Sequence, residues 1–383
     1  MFRTIFLLLP LVLVAAQARA EPTPAQNVIA AAERALDADP DNALRRNDLA
    51  LGYARRARET ADMDFYEKAH RELDRSLEID PNNYGARRLR VWTLLGQHRF
   101  AEALEKAHEL NKIFPDDVLI YGFLADAQVE LGRYEEATDS VQWMLDLRPG
   151  NVPALTRAAY LRELHGWNEG AIDFMQKAFD RTRPAEREDR AWIQTQLAHL
   201  EQLNGNLAAA EKHVTVALEL FPNYHYALAE LGRVREAQGR LQEAADAFRR
   251  RYEAAPHPEN LFELGRTLEK LGRTEEAREA YAEFEKSGLA EMDNWDNCNR
   301  DLVDYYADVV DKPQEALKIA EAEMERRQDL FTRASYAWAL YKAGRTAEAQ
   351  EQMDQALSPG YADEKLQERA AIIGEGQQLQ AQR

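Results

Sequence analysis

The chain has 383 residues, 45% hydrophobic, 30% charged and 9% aromatic, with a formal net charge of −18. That composition is typical of a soluble helical protein, and so negative a charge disfavours nonspecific binding to nucleic acid or anionic membranes. Cys298 is the single cysteine, which excludes an intramolecular disulfide; with His257 the nearest histidine in sequence, it reads as a packed thiol and not a nucleophile.

In chain order, residues 1–20 come first. Arg3 precedes an apolar stretch from Ile5 to Ala16, and Ala18-Arg19-Ala20 has the small-x-small pattern a signal peptidase accepts. The stretch falls short of the ~20 residues needed to cross a bilayer. The expectation is a secretory leader cut between Ala20 and Glu21, with no lipid anchor because no cysteine stands near the junction. Its loss removes Arg3 and Arg19 and takes the net charge from −18 to −20. The destination is periplasmic or secreted. Residues 21–42 then hold a lone helix, Asn27 to Ala38, closed by Pro40.

Residues 43–358 are periodic. Ala69, Ala103, Ala137 and Ala171 recur at steps of 34, and Pro81, Pro115 and Pro149 follow the first three at a constant offset of 12. Each unit reads as two short amphipathic helices with a turn between them. In the third, Val118 to Leu131 is the first helix, Gly132-Arg133-Tyr134 turns the chain, and Glu135 to Leu147 returns before Pro149. Gly132 permits the left-handed conformation that ends a helix, and Ala137 is small because the two helices cross there. Leu231-Gly232, Gly239, Ala244, Phe248 and Pro256 repeat the design, as do Leu264-Gly265, Gly272, Ala277 and Tyr281. Later steps of 39, 34, 33, 39 and 33 lead to Ala210, Ala244, Ala277, Ala316 and Ala349. The steps of 39 place insertions around Arg183 to Arg190 and Ser287 to Asn297, and the first unit holds about seven extra residues around Arg58 to Asp64. Residues 359–376 read as a capping helix, Asp363 to Ile373 at its centre, and 377–383 as a frayed polar tail.

These residues resemble the tetratricopeptide repeat, with its small residue in the first helix, Gly-x-aromatic turn, alanine opening the second helix and terminal proline. The resemblance implies an all-α, right-handed superhelical solenoid of about nine tandem helix-turn-helix repeats with a C-terminal capping helix. It also implies that the first helices line a concave groove. The groove-facing positions are then Arg88, Trp92, Asp126, Arg157, Tyr160, Trp192, His199, Tyr226, Arg233, Phe262, Arg266, Tyr305 and Trp338. Rings, arginines and carboxylates together suit an extended peptide. Aromatic faces also stack on sugars, so a glycan or exported polymer is the second candidate partner. The family's carboxylate clamp is missing: Asn47 is isolated, and Arg88, Gly122 and Thr156 stand at the neighbouring positions. Glu259 to Asp301 holds twelve acids against six bases, which favours a neutral or basic segment.

No catalytic motif is present: no phosphate loop, His-Glu-x-x-His pair, Gly-x-Ser-x-Gly elbow or Cys-x-x-Cys. Asp293, Asp296, Asn297, Asn299 and Asp301 match a calcium loop in composition but not in spacing, and Asp296 is expected to cap the following helix. The sequence therefore points to a non-catalytic scaffold with no cofactor or metal, no membrane span and no nucleic acid, binding a protein segment whose identity the sequence does not give.

Overall fold

The computed structural model describes residues 22–295, 297–361 and 363–381. The expected leader, its Ala20/Glu21 junction and Asp296 lie outside the described residues. Among these there are twenty α-helices, one π-helical segment and no strand.

Helix α1 (Pro24–Ala38) starts earlier than expected because Thr23 and Gln26 form a reciprocal cap, each accepting the other's backbone amide. It is not alone in space. Glu59, on the first helix of the array, accepts from Ala25 N at 3.0 Å and so places a carboxylate at the α1 N-terminus.

The nine expected repeats are all present. They are α2 (Ala43–Thr60) with α3 (Asp64–Ile79), α4 (Tyr84–Gly96) with α5 (Phe100–Ile113), and α6 (Val118–Glu130) with α7 (Tyr134–Leu147). Next come α8 (Val152–Leu164) with α9 (Asn168–Arg181), α10 (Arg187–Leu203) with α11 (Leu207–Leu220), and α12 (His225–Ala237) with α13 (Leu241–Ala254). The last are α14 (Glu259–Lys270) with α15 (Thr274–Glu291), α16 (Asn299–Asp304) with α17 (Pro313–Met324), and α18 (Leu330–Lys342) with α19 (Thr346–Leu357). Every alanine that opens a second helix is buried, from Ala69 at 0% exposure to Ala277 at 3%. The small residue of the first helix has a matching cause: a Cβ on Gly232 would lie 2.4 Å from the Phe248 ring, and one on Gly265 2.6 Å from Tyr281.

The insertions are absorbed mostly as helix. The first makes α2 18 residues long where α4 and α6 have 13, and it ends at Ala61 with φ +54°. The third lengthens α15 to 18 residues and leaves a short loop. There the Arg326 guanidinium donates to the backbone carbonyls of Met292, Asp293 and Asn294, so a cation of the protein itself holds this loop. At the start of α16, Asn297 Oδ1 accepts from Asn299 N at 3.0 Å. In the eighth repeat α16 passes into a π-helical turn (Tyr305–Val309), whose Asp308, with Asp304, receives Arg369 at 2.9 and 2.8 Å. Arg369 belongs to the capping helix α20 (Glu364–Ala381). That helix continues past Gln377, where a frayed tail was expected, since its Gln, Leu and Ala residues favour helix and no proline interrupts it.

The superhelix closes on itself, a feature absent from the sequence reading. The turns of the first four repeats meet the helix starts of repeats about five units further on. Arg58 pairs with Glu188 at 3.0 Å, and His225 Nε2 donates to the Arg58 carbonyl at 2.9 Å. Gln328 N donates to the Glu130 carbonyl at 2.9 Å, Leu330 N to the Tyr134 hydroxyl at 2.6 Å, and His165 Nδ1 to the Pro359 carbonyl at 2.9 Å. The fit is close enough that a Cβ on Gly132 would stand 2.7 Å from Gln328 O, and one on Gly166 2.5 Å from Gly360 O. The uninterrupted open groove implied by the repeat pattern is thus replaced by a seam between successive coils.

Candidate functional site

Space is left along the seam at the turns of the first three repeats. One cavity of about 450 Å³ is lined by Tyr66, Trp92, Phe100, Tyr160 and Tyr226, by Arg58, Arg157 and Arg327, by Asp126, Glu130 and Glu259, and by His98, His225 and His257. A second, of about 250 Å³, shares His98, Glu259 and Arg327 with it and adds Cys298, Arg300, Asp301, Asp304, Glu323 and Arg369. The three shared side chains form the partition between them.

His98 stands where six of the nine turns have glycine. Its φ is +60°, beside values of +71° to +84° at Gly132, Gly166, Gly205, Gly239, Gly272 and Gly344. A side chain there costs on the order of 1 kcal/mol of backbone strain. The ring stacks on Phe100 at 5.5 Å, and burial followed by the Arg327 charge pushes its pKa down to about 3, so the imidazole is neutral. Burial likewise lowers His225 to about 4. With its Nε2 donating to Arg58 O, the neutral ring carries a lone pair on Nδ1, a buried atom that has no hydrogen-bond partner.

The lining arginines are all engaged. Arg58 pairs with Glu188. Arg157 grips Asp126 through Nε at 2.8 Å and Nη2 at 2.5 Å and also donates to the Gly122 carbonyl, covering one of the clamp positions. Arg327 pairs with Glu130 and, at 3.1 Å, with Asp329. Burial raises the Glu130 pKa in spite of Arg327, while Glu259 is held low against its burial by Arg251, at 2.8 Å, and then by His257. Asp301 is the opposite case. Burial, then the Glu259, Asp304 and Glu263 charges, push its pKa up to about 7, with Arg300 opposing. Cys298 is buried, and burial followed by Asp301 raises its thiol pKa, so it is a protonated packing group.

Of the groove positions, the larger cavity gathers Trp92, Asp126, Arg157, Tyr160 and Tyr226. The others lie elsewhere. Arg88 pairs with Asp117 at 2.9 Å, and Trp192 is half-buried between the fourth and fifth repeats and their neighbours. His199 donates to Glu163 at 3.1 Å, and Arg233 bridges Glu230 and Glu263. Phe262, at 4% exposure, packs on Phe284, with Arg266 over its ring. Tyr305 bonds Glu285, and Trp338 donates to Asp308 at 2.9 Å beneath Arg369. Phe262, Tyr305 and Trp338 are therefore core and not contact residues, the first two packed on the α15 rings Tyr281 and Phe284 and the third beneath Arg369 of α20. Asn47 is likewise spent on Asn83 and Ser76. The residues that sequence reasoning missed are Arg58, His98, His225, Glu259 and Arg327. Only His98 carried a local signal, by replacing the turn glycine.

Profiles of the tetratricopeptide repeat match residues 94–142, 195–258 and 258–285. The chain is a tetratricopeptide repeat protein. As such it belongs to a class of protein-interaction scaffolds. No curated protein matches its sequence. Among solved structures, this tetratricopeptide repeat protein is similar to the APC/C hetero-tetramer Cut9-Hcn1, with a TM-score of 0.52 and 15% identity over 88% of its length. It spans 56% of the chain matched there. It is also similar to the human IFIT1 dimer with PPP-AAAA, with a TM-score of 0.53 and 14% identity over 87% of its own length and 86% of the other's. At these identities the likeness is one of fold. No described helix is long and apolar enough to cross a membrane.

Proposed function

We propose that the protein is a non-catalytic scaffold, acting outside the cytoplasm after loss of the leader, that binds a segment of a partner protein at the seam between its coils. Envelope assembly is the setting that such a destination favours. The observation that carries this reading is the cavity of about 450 Å³, where Trp92, Tyr160 and Tyr226 from three repeats meet paired charges on a fixed backbone. Rings of this kind supply contact area at little entropy cost, and a frame already ordered reduces the cost of binding. A site of this volume takes a short segment or a few side chains in place of the long peptide that an open groove would hold.

The likeness to a structure holding PPP-AAAA does not extend to chemistry. A phosphate needs unspent donors, and here Arg58, Arg157 and Arg327 are each bound by carboxylates.

The reading is tested by a photo-crosslinking residue placed at Tyr226, 38% exposed in the cavity wall, and separately at Glu105 on an exposed outer face. The expected result, in the extracytoplasmic fraction, is one discrete protein captured from position 226 and not from 105. Equal capture from both, or none from 226, overturns the reading.

A further inference from the structure

We infer that the seam takes the basic side chain of a lysine or arginine in the partner segment, its stem against Trp92 and Tyr226 and its cation at the Glu259 and Asp301 carboxylates. This rests on the scaffold reading above and adds the chemistry that it recognises.

Four observations converge on a cation. First, the basic side chains of the larger cavity are committed: Arg58 to Glu188, Arg157 to Asp126 and Arg327 to Glu130 and Asp329. Second, the acids of the smaller cavity are unequally satisfied. Asp304 receives Lys365 and Arg369, Glu323 receives Asn297 and Asn299, and Glu259 receives Arg251 at 2.8 Å through Oε1. Asp301, by contrast, has the like charges of Glu259, Asp304 and Glu263 around it, with Arg300 the opposing cation. A partly buried group of like charges is relieved by a counter-charge. Third, His225, 2% exposed in the wall of the larger cavity, has an Nδ1 acceptor without a donor. Fourth, the rings of Trp92 and Tyr226 line the larger cavity, Tyr226 braced on His225 with centroids 3.9 Å apart, and aromatic rings are the surfaces on which guanidinium and ammonium groups sit. Glu259 belongs to both cavities, so a side chain entering past the rings meets it before Asp301. A neutral sugar would use the rings but leave Asp301 unrelieved, and an anion would add to the acidic charge.

The test titrates the full chain with acetyl-Gly-Arg-Gly-amide, with the same peptide carrying citrulline for arginine, and with a linear glucan, following heat and tryptophan fluorescence. The arginine peptide is expected to bind, and its neutral isostere about tenfold or more weakly. Asp301→Asn keeps the side-chain shape and removes a like charge, so it is expected to fold while weakening the arginine peptide about tenfold. Equal binding of the two peptides, unchanged affinity in Asp301→Asn, binding of the glucan alone, or no binding of any probe overturns the inference. The two readings fail separately. A protein captured at position 226 with no sensitivity to Asp301→Asn overturns only the basic-residue reading. Arginine-peptide binding with no protein captured overturns only the scaffold reading.

Discussion

Glu130 and Arg327, 197 residues apart in the chain, are ion-paired, and the amide of the next residue, Gln328, donates to the Glu130 carbonyl at 2.9 Å. The end of α6 is thereby tied to the approach to α18 by both side chain and backbone. In a simple solenoid each repeat touches only its neighbours and stability is a sum of neighbouring terms. Here a third-repeat residue supports the ninth repeat directly.

Arg327→Met is expected to cost about 3–5 kcal/mol, because it leaves Glu130 without its ion-pair partner and Asp329 with only the more distant Arg300 at 3.8 Å. Urea denaturation measures the loss. Small-angle scattering should show a larger radius of gyration if the coils part.

Gly132 and Gly239 separate backbone strain from the seam. Both have a positive φ, +72° and +74°, but a Cβ at Gly132 would meet Gln328 O at 2.7 Å whereas Gly239 has nothing within 4 Å. Gly239→Ala should cost on the order of 1 kcal/mol for the left-handed conformation alone. Gly132→Ala should cost roughly 1–3 kcal/mol more through overpacking, as compared in paired melts.

Asp301 gives a pH signature. Its carboxyl holds a proton up to about pH 7 in the folded chain but only to the usual value of 3.8 in the unfolded one. Between these values the folded state binds the extra proton, so this group's contribution falls as the pH rises through the window and is unfavourable above it. Asp301→Asn removes the effect. It is expected to be more stable than the parent by on the order of 1–2 kcal/mol near pH 8, with the difference vanishing near pH 4, as read from urea midpoints across that range.

Ala137, at 0% exposure between α6 and α7, leaves no room for a larger side chain. Ala137→Trp should cost about 3 kcal/mol. Amide exchange should quicken in α5 and α8 as well, since each repeat is held by its neighbours. An unchanged melt would show that the helices do not cross there.

The repeats were legible because their causes are local. Ala137, Gly132 and Pro149 each answer a constraint set within one helical hairpin, so spacing alone located nine units. The seam was not legible, because Glu130 and Arg327 are ordinary charges in their own repeats and acquire a role only when the superhelix brings them together. The same reason divides the groove positions. Trp92 and Tyr226 line the cavity, while at comparable positions later in the array Tyr305 packs on the α15 rings and Trp338 lies beneath Arg369 of α20. His98 was the exception, a side chain standing where the turn called for glycine.

Closure of the superhelix is tested most directly by a double-mutant cycle on Glu130→Gln and Arg327→Met, with stability measured in urea. Two residues 197 apart couple only if the coils meet. The expected coupling is about 2–3 kcal/mol, the double variant being far less destabilised than the sum of the single ones. Additivity within about 0.5 kcal/mol would contradict the seam and return the array to an open superhelix.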